Sequence, residues 1–147
     1  MITSKSNPKI KNVVKLQKSS ERREQNRIII EGIREIERAV ACGFIIDTLF
    51  ICNEILKESI DIKANIIEEV TLEVFEKIAY REGSDGLLAV AIPKYADLKN
   101  FKPRKNPLII VLETVEKPGN LGAVMREITS LMPWKILSPF IIPTPSA

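Results

Sequence analysis

The sequence predicts an α/β domain with a mainly parallel or mixed sheet, followed by the beginning of a second α/β domain. Short strands rich in β-branched residues alternate with amphipathic helical segments up to about residue 92, and this alternation is typical of layered α/β folds. Residues 94–107 are rich in basic residues and proline, which is typical of a linker. A fully apolar strand at residues 108–112 then indicates a central strand of a new parallel sheet.

The first element is a helix that begins at Asn7-Pro8. Asparagine caps free backbone amides at a helix start, and proline is tolerated at the first helical position. The apolar face is expected at helical spacing, on Ile10, Val13 and Val14, with Gln17 as a further candidate. The lysines of this region fall largely on the other faces, so we expect a helix that docks by an apolar stripe and leaves its lysines in solvent.

The remaining elements are predicted as a strand at 27–32, a helix at 33–42, a strand at 44–52, a turn or short helix at 53–59, a strand at 64–70, a helix at 71–80 and a strand at 86–92. Gly43 is well placed to end one helix, and Thr71 to cap the other. The inward-facing helix residues are predicted to be Ile33, Ile36, Ala39, Val40, Leu72, Phe75, Ile78 and Ala79.

Composition narrows the chemistry. The 147-residue chain contains no histidine, which excludes a Ser-His-Asp triad, a Cys-His pair and histidine zinc sites within it. Cys42 and Cys52 fit no metal-ligand spacing, and we expect both to be buried small apolar residues. No apolar run reaches the roughly 20 residues that span a bilayer, and the N-terminus lacks the apolar core of a signal peptide. We therefore expect a cytoplasmic protein without a membrane partner.

The positive charge is concentrated in the first fifth of the chain. Residues 1–27 hold eight basic and two acidic side chains, a net charge of +6, whereas the whole chain carries +3 and the other 120 residues therefore −3. The basic residues are Lys5, Lys9, Lys11, Lys15, Lys18, Arg22, Arg23 and Arg27. Such a segment attracts polyanions such as RNA, although a solvated helix face remains the alternative interpretation.

A Pro-x-Asn-x-Gly-x-x-x-Arg string follows the apolar strand, formed by Pro118, Asn120, Gly122 and Arg126. Loops at the carboxyl ends of parallel strands are where α/β proteins build their sites. Glycine lets a helix backbone approach closely, and asparagine offers both a donor and an acceptor. We expect Asn120 to lie in the loop or at the cap, with Arg126 pointing from the helix.

In this position the string resembles the first signature motif of SpoU-type RNA ribose 2′-O-methyltransferases in the SPOUT superfamily. The resemblance implies S-adenosylmethionine as methyl donor and a homodimer in the full-length family. It also implies that Arg126 and Asn120 are catalytic, and that Pro118 and Gly122 shape the motif. Because arginine is ordinarily too weak a base, we expect Arg126 to anchor a phosphate and stabilise charge electrostatically rather than abstract a proton. Arg126 as a plain surface residue remains the alternative.

Three strings in the first domain resemble the substrate-binding domain that precedes the catalytic domain in many of these enzymes. They are residues 6–11, 29–32 and 86–90. The resemblance implies a three-layer α/β/α sandwich similar to ribosomal RNA-binding proteins, and ribosomal or transfer RNA as partner. The residues implied on the RNA side are Asn7, Lys9, Lys11, Arg22 and Arg23. Glu31 and Gly32 are implied as structural motif residues, with Glu31 anchoring a helix start.

The resemblance ends near residue 128. Four prolines between 133 and 145 exclude a regular helix or central strand there. We therefore expect an RNA substrate-binding domain at 1–93, a linker at 94–107, the first strand and helix of an incomplete SPOUT α/β-knot domain at 108–128, and an aberrant tail at 129–147. By this interpretation the chain is a truncated, inactive methyltransferase that does not bind S-adenosylmethionine. The alternative is an RNA-binding module without catalysis.

Overall fold

The computed structural model describes residues 1–80, 83–94, 120, 122–124 and 126–127. The chain divides into two units, residues 1–94 and 95–147. The first unit contains four helices and four strands among its described residues. In chain order they are α1 (Pro8–Lys15), α2 (Ser19–Gln25), β1 (Ile28–Glu31), α3 (Ile33–Ala41), β2 (Ile45–Ile51), β3 (Ile66–Glu69), α4 (Leu72–Ile78) and β4 (Leu87–Ile92).

The four strands form one mixed sheet in the order β1-β4-β2-β3. Strand β4 runs antiparallel to both of its neighbours, β1 and β2. Strand β3 is parallel to β2, with Thr48 opposite Ile66 and Leu49 opposite Ile67. The prediction of a mixed α/β fold is thereby confirmed. The apolar strand predicted at 108–112 lies outside the described residues.

Each face of the sheet carries its own apolar core, because successive strand residues point to opposite faces. Leu88 and Val90 of β4 join the core that also contains residues of α1 and α4. Leu87 and Ala89 of the same strand join the core that contains Ile36 of α3. The central position of β4 explains why five of its six residues are buried.

Helix α1 begins as predicted, because the side chain of Asn7 accepts a hydrogen bond from the backbone N–H of Lys9 at 2.9 Å. Its apolar face differs from the prediction at one position. Leu16 is fully buried, whereas Gln17 is exposed. Residues 10, 13 and 16 each lie three apart, so Leu16 continues the stripe that Ile10 and Val13 begin, and Gln17 falls outside it.

Helix α2 was not predicted from the sequence. None of its residues is buried, so it leaves no apolar stripe in the pattern. Asn26 ends it in the left-handed conformation, with φ 49°, which asparagine tolerates better than most residues.

Two expectations for the helices were wrong, and the predicted cap of α4 holds in position only. Val40 is 41% exposed and Cys42 is exposed, because both lie in the last turn of α3 or just beyond it. Thr71 occupies the cap position of α4 without a side-chain bond to the helix. Instead, the backbone N–H of Leu72 donates to Oε1 of Glu54 at 2.8 Å.

In the second unit, the described residues 120, 122–124, 126 and 127 have helical conformation. Asn120 is thus already helical rather than in the preceding loop. Among the described residues of the whole chain, no helix is long and apolar enough to cross a membrane.

Candidate nucleic-acid interface

The residues 5–27, called the basic segment below, contain three exposed lysines without an internal partner, of which two lie on one side of α1. Lys11 and Lys15 are exposed, and their spacing of four places them on the same side of α1. Neither side chain forms a hydrogen bond or an ion pair with the described residues. Both ammonium groups are therefore available to an anionic ligand.

Two other lysines of the basic segment are paired with carboxylates of the same domain. Lys9 Nζ contacts Oε1 of Glu68 in β3. Lys5 Nζ lies 2.6 Å from Oε1 of Glu73 in α4. The hydrogen bond and the charge of Lys5 lower the pKa of the Glu73 carboxyl below its ordinary value of 4.5. Lys9, predicted on the RNA side, therefore already neutralises a neighbouring carboxylate.

The two neighbouring arginines of α2 have different environments. Nη1 of Arg22 donates to the backbone oxygens of Leu16 and Gln17, at 3.0 and 2.6 Å. These carbonyls follow the end of α1, where helices leave acceptors without partners. Arg22 therefore closes the turn between α1 and α2, whereas Arg23 is exposed and has no partner among the described residues.

A cleft of about 440 Å³ lies between α1, the end of α2 and the sheet. Its apolar walls include Val13, Phe50 and Val90. Polar groups also line it, namely Lys9, Asn12, Gln25, Arg27, Asp47 and Thr48. Arg27 Nε lies 3.4 Å from Oδ2 of Asp47, and each of these side chains remains about one-third exposed. The cleft thus offers amide, hydroxyl and cationic groups beside the basic segment.

Sequence reasoning missed most of this cleft. Asn12 and Thr48 lie in elements that the sequence predicts from their apolar residues alone, so their own polar side chains receive no role. Gln25 lies in α2, which the sequence does not predict. Asp47 lies in β2 at the irregularity between Ile46 and Thr48, with β4 between this strand and β1. No local sequence signal predicts its contact with Arg27. For Arg27, the sequence predicts only a basic residue at the start of a strand.

Glu31 and Gly32 connect β1 to α3, but the anchor is different from the predicted one. Glu31 is 9% exposed, and its Oε2 accepts from the backbone N–H of Tyr80 at 2.7 Å. The start of α3 is instead held by Asp85, whose Oδ2 accepts from the N–H of Ile33 at 2.9 Å. Gly32 has φ 103°, a conformation that glycine adopts without strain.

In the helical turn of the second unit, Gly122 lies beside the predicted catalytic arginine. A methyl group added at Gly122 would come within 3.6 Å of Nη1 of Arg126, so the guanidinium group folds back along its own helix. Arg126 and Asn120 are exposed. Pro118 lies outside the described residues.

Comparison with known families decides the relationship of the first unit. Residues 7–89 match the model of the MRM3-like substrate binding domain. The chain belongs to this family. The match covers more than half of the 147 residues and includes the four helices, β1 to β3 and the first half of β4.

Solved structures agree with this relationship. A crystal structure of an RNA 2′-O ribose methyltransferase matches with 35% identity and a TM-score of 0.71, over 88% of this chain and 51% of that one. An rRNA methyltransferase from Sinorhizobium meliloti matches with 23% identity and a TM-score of 0.70, over 88% of this chain and 50% of that one. The SpoU methyltransferase AviRb from Streptomyces viridochromogenes, in complex with AdoMet, matches with 18% identity and a TM-score of 0.70, over 85% and 50%.

The predicted resemblance to SpoU-type RNA ribose methyltransferases is thereby confirmed, and the chain spans about half the length of these structures. The two matches below 25% identity show a shared fold. No curated protein sequence matches this chain.

Proposed function

We propose that the first unit is an RNA-binding domain that presents ribosomal or transfer RNA to a ribose methyltransferase. The observation that carries this proposal is the match of residues 7–89 to a substrate-binding domain. It is found in a chain of which 88% aligns, at 35% identity, with an RNA 2′-O ribose methyltransferase. The α/β/α sandwich similar to ribosomal RNA-binding proteins is part of the proposal. It is supported by apolar cores on both faces of the sheet.

The contacts in the basic segment suggest how RNA is held. Phosphate contacts are made by cationic side chains that are not already paired within the protein. Lys11, Lys15 and Arg23 have no internal partner among the described residues. The amides of Asn12 and Gln25 in the neighbouring cleft can donate to and accept from ribose or base edges. We propose that the exposed cations bind the phosphate backbone and that the polar cleft binds the ribose or base of a nucleotide between these phosphates.

Salt dependence of RNA affinity tests this assignment. Each lysine that contacts a phosphate contributes about 0.7 to 0.9 to the slope of log affinity against log salt concentration. The Lys11→Gln/Lys15→Gln variant should therefore lose about 1.4 to 1.8 of that slope, measured by fluorescence anisotropy with ribosomal RNA fragments. Both side chains are exposed, so the variant should unfold at the same denaturant concentration as the original protein.

A matched control uses lysines outside the basic segment. Lys57 and Lys63 are also exposed, so Lys57→Gln/Lys63→Gln removes the same charge from the same domain. This control should keep the original slope. An equal loss of slope in both double variants would show that only net charge matters, and would contradict a defined phosphate-binding face.

We further propose that the chain derives from an S-adenosylmethionine-dependent ribose 2′-O-methyltransferase, with Arg126 and Asn120 on the catalytic helix. The exposed guanidinium of Arg126 is suited to anchoring an RNA phosphate and stabilising developing charge. Methyl transfer also requires a donor held in line with the ribose hydroxyl. A polypeptide of these 147 residues alone is expected to lack that donor site, and calorimetry with S-adenosylmethionine tests this. Saturable binding would contradict it.

An RNA-binding module without catalysis is the second candidate. It is favoured by one observation, namely that the family match lies entirely within residues 7–89. This candidate predicts that the chain binds RNA but transfers no methyl group to its ribose 2′-hydroxyls. Methyl transfer that is lost in Arg126→Ala would exclude it.

A further inference from the structure

A second cavity, of about 570 Å³, lies between the C-terminal half of α4 and the turn that leads into β4. Its apolar lining consists of Ile55, Leu72, Phe75 and Ala79. Glu76, Tyr80, Gly83 and Ser84 complete it. The cavity is separate from the polar cleft beside α1, because the two share no lining residue.

Two side chains of this cavity have properties that packing does not explain. Tyr80 is 55% exposed, although burying an aromatic ring stabilises a protein or a complex strongly. The Oγ of Ser84 is inaccessible to solvent and has no hydrogen-bond partner in the described part of the chain. A buried hydroxyl without a partner is costly, so a ligand atom at this position would remove an existing penalty.

We propose that this cavity holds one unstacked nucleobase of the bound RNA. Sequence-specific proteins recognise single-stranded RNA by stacking its bases on aromatic rings and by hydrogen bonds to the base edges. Here the ring of Tyr80 provides the stacking surface, the apolar lining encloses the base, and the hydroxyl of Ser84 bonds its edge. The proposal rests on the proposed RNA binding and adds a base-reading site to it.

The carboxylate of Glu76 gives the site a direction of selectivity. An ionised carboxylate only accepts hydrogen bonds, and the exocyclic amino groups of cytosine and adenine are donors. Uracil carries a carbonyl oxygen in place of that amino group. The site should therefore prefer a base with an exocyclic amino group to uracil.

Charge and position explain why a base rather than a phosphate enters this cavity. Glu73 of α4 is paired with Lys5. Glu76, in contrast, lines the cavity and Lys77 of the same helix does not, so the carboxylate of Glu76 repels a phosphate group there. Helix α1 packs against α4, and Lys5, which precedes α1, forms an ion pair with Glu73 of α4 at the surface. A strand whose phosphates lie along the basic segment can therefore turn a base across α4 into the cavity.

The test compares single-stranded and duplex RNA with the full chain. Fluorescence anisotropy should show tighter binding of oligo(A) and oligo(C) than of oligo(U) at equal length and salt. Tyr80→Ala should weaken the binding of oligo(A) and oligo(C) by about fivefold or more, since stacking on one aromatic ring has at least that effect. Tyr80→Phe should retain the affinity, and Glu76→Gln should reduce the discrimination against oligo(U). Binding of a blunt RNA duplex should not change in any of these variants.

The failure of this proposal can be told apart from failure of RNA binding. If Tyr80→Ala and Ser84→Ala bind every single strand like the original protein, while Lys11→Gln/Lys15→Gln weakens binding, the cavity does not read a base. If the original protein binds no RNA, both proposals fall. Ser84→Ala removes a hydroxyl without a described partner and Tyr80 is largely exposed, so both variants should fold, which circular dichroism and thermal unfolding check.

Discussion

The basic segment and the turn before β4, residues 83–86, differ in how their function is encoded. The basic segment announces itself by composition, with eight cations among the first 27 residues. Several of these cations are less available to RNA in the folded domain, because Lys5, Lys9 and Arg22 have partners inside it. The turn carries no cation among its described residues, yet one of its side chains is buried without a partner.

This difference separates two kinds of evidence for a binding surface. Charge density shows where an RNA molecule is attracted, and it is visible in the sequence. A cavity with an unsatisfied hydroxyl shows where one part of a ligand fits, and only the tertiary structure reveals it. Variants of the two regions should therefore fail in different ways, and the largest effect is expected in the turn.

Gly86→Ala should destabilise the protein strongly. Gly86 has φ +87°, and a methyl group there would lie 2.9 Å from the backbone oxygen of Cys52 and 3.0 Å from the backbone nitrogen of Leu56. The left-handed conformation alone costs an alanine roughly 1–2 kcal/mol. The collision with backbone atoms adds to this, so we expect a loss of about 3 kcal/mol in the free energy of unfolding, measured by urea denaturation.

Gly83→Ala is the matched control for that experiment. Gly83 has φ +76°, and a methyl group would meet no described atom within 4 Å. Only the conformational cost should remain, roughly 1–2 kcal/mol. Equal losses in the two variants would mean that the close approach of the turn to residues 52–56 does not constrain the fold.

The order of elements could largely be predicted from the sequence, because each depends on a local pattern. The cap at Asn7 and the apolar spacing of α1 are local, and both are present. The strand order β1-β4-β2-β3 could not be predicted, since pairing depends on contacts between residues far apart in the chain. Helix α2 was missed because it buries none of its residues and leaves no apolar period.

The candidate site was predictable only as far as charge and motif extend. The family resemblance implies both Arg22 and Arg23 on the RNA side, since nothing in the sequence distinguishes two adjacent arginines. The structure separates them, because Arg22 reaches two carbonyls at the end of α1. The roles of Tyr80 and Ser84 arise from the meeting of α4 with the turn before β4, and no spacing in the sequence encodes that meeting.

Alanine substitution of each arginine sharpens the contrast within the basic segment. Arg22→Ala removes two hydrogen bonds from a charged donor to backbone carbonyls, one of them partly buried. We expect it to lower the free energy of unfolding by about 1 kcal/mol. Arg23→Ala should leave stability within about 0.5 kcal/mol of the original while weakening RNA binding. The opposite pattern, with Arg23 needed for stability, would reverse the assignment of the two side chains.

The smallest expected effect concerns the ion pair that links the basic segment to α4. Lys5 lowers the pKa of Glu73, first through its hydrogen bond and then through its charge. A carboxyl whose pKa is lowered by folding stabilises the native state above its ordinary pKa of 4.5, and this contribution is lost as the pH falls through the lowered value.

Lys5→Met removes both causes, so Glu73 should titrate at a higher pH in the variant, as followed by the carbon chemical shift of its carboxyl group in NMR. Both side chains are largely exposed, and exposed pairs contribute little to stability, so the thermal midpoint at neutral pH should stay the same. Lys63→Met, which removes a distant exposed cation, should leave the Glu73 titration in place. An unchanged titration in Lys5→Met would show that the pair does not persist in solution. The side chain of Lys5 would then not be fixed beside α4, although the hydrogen bonds of Ile2 to Glu69 and Thr71 would still hold the N-terminus to the domain. The path proposed for RNA across this helix would lose this ion pair as its fixed starting point.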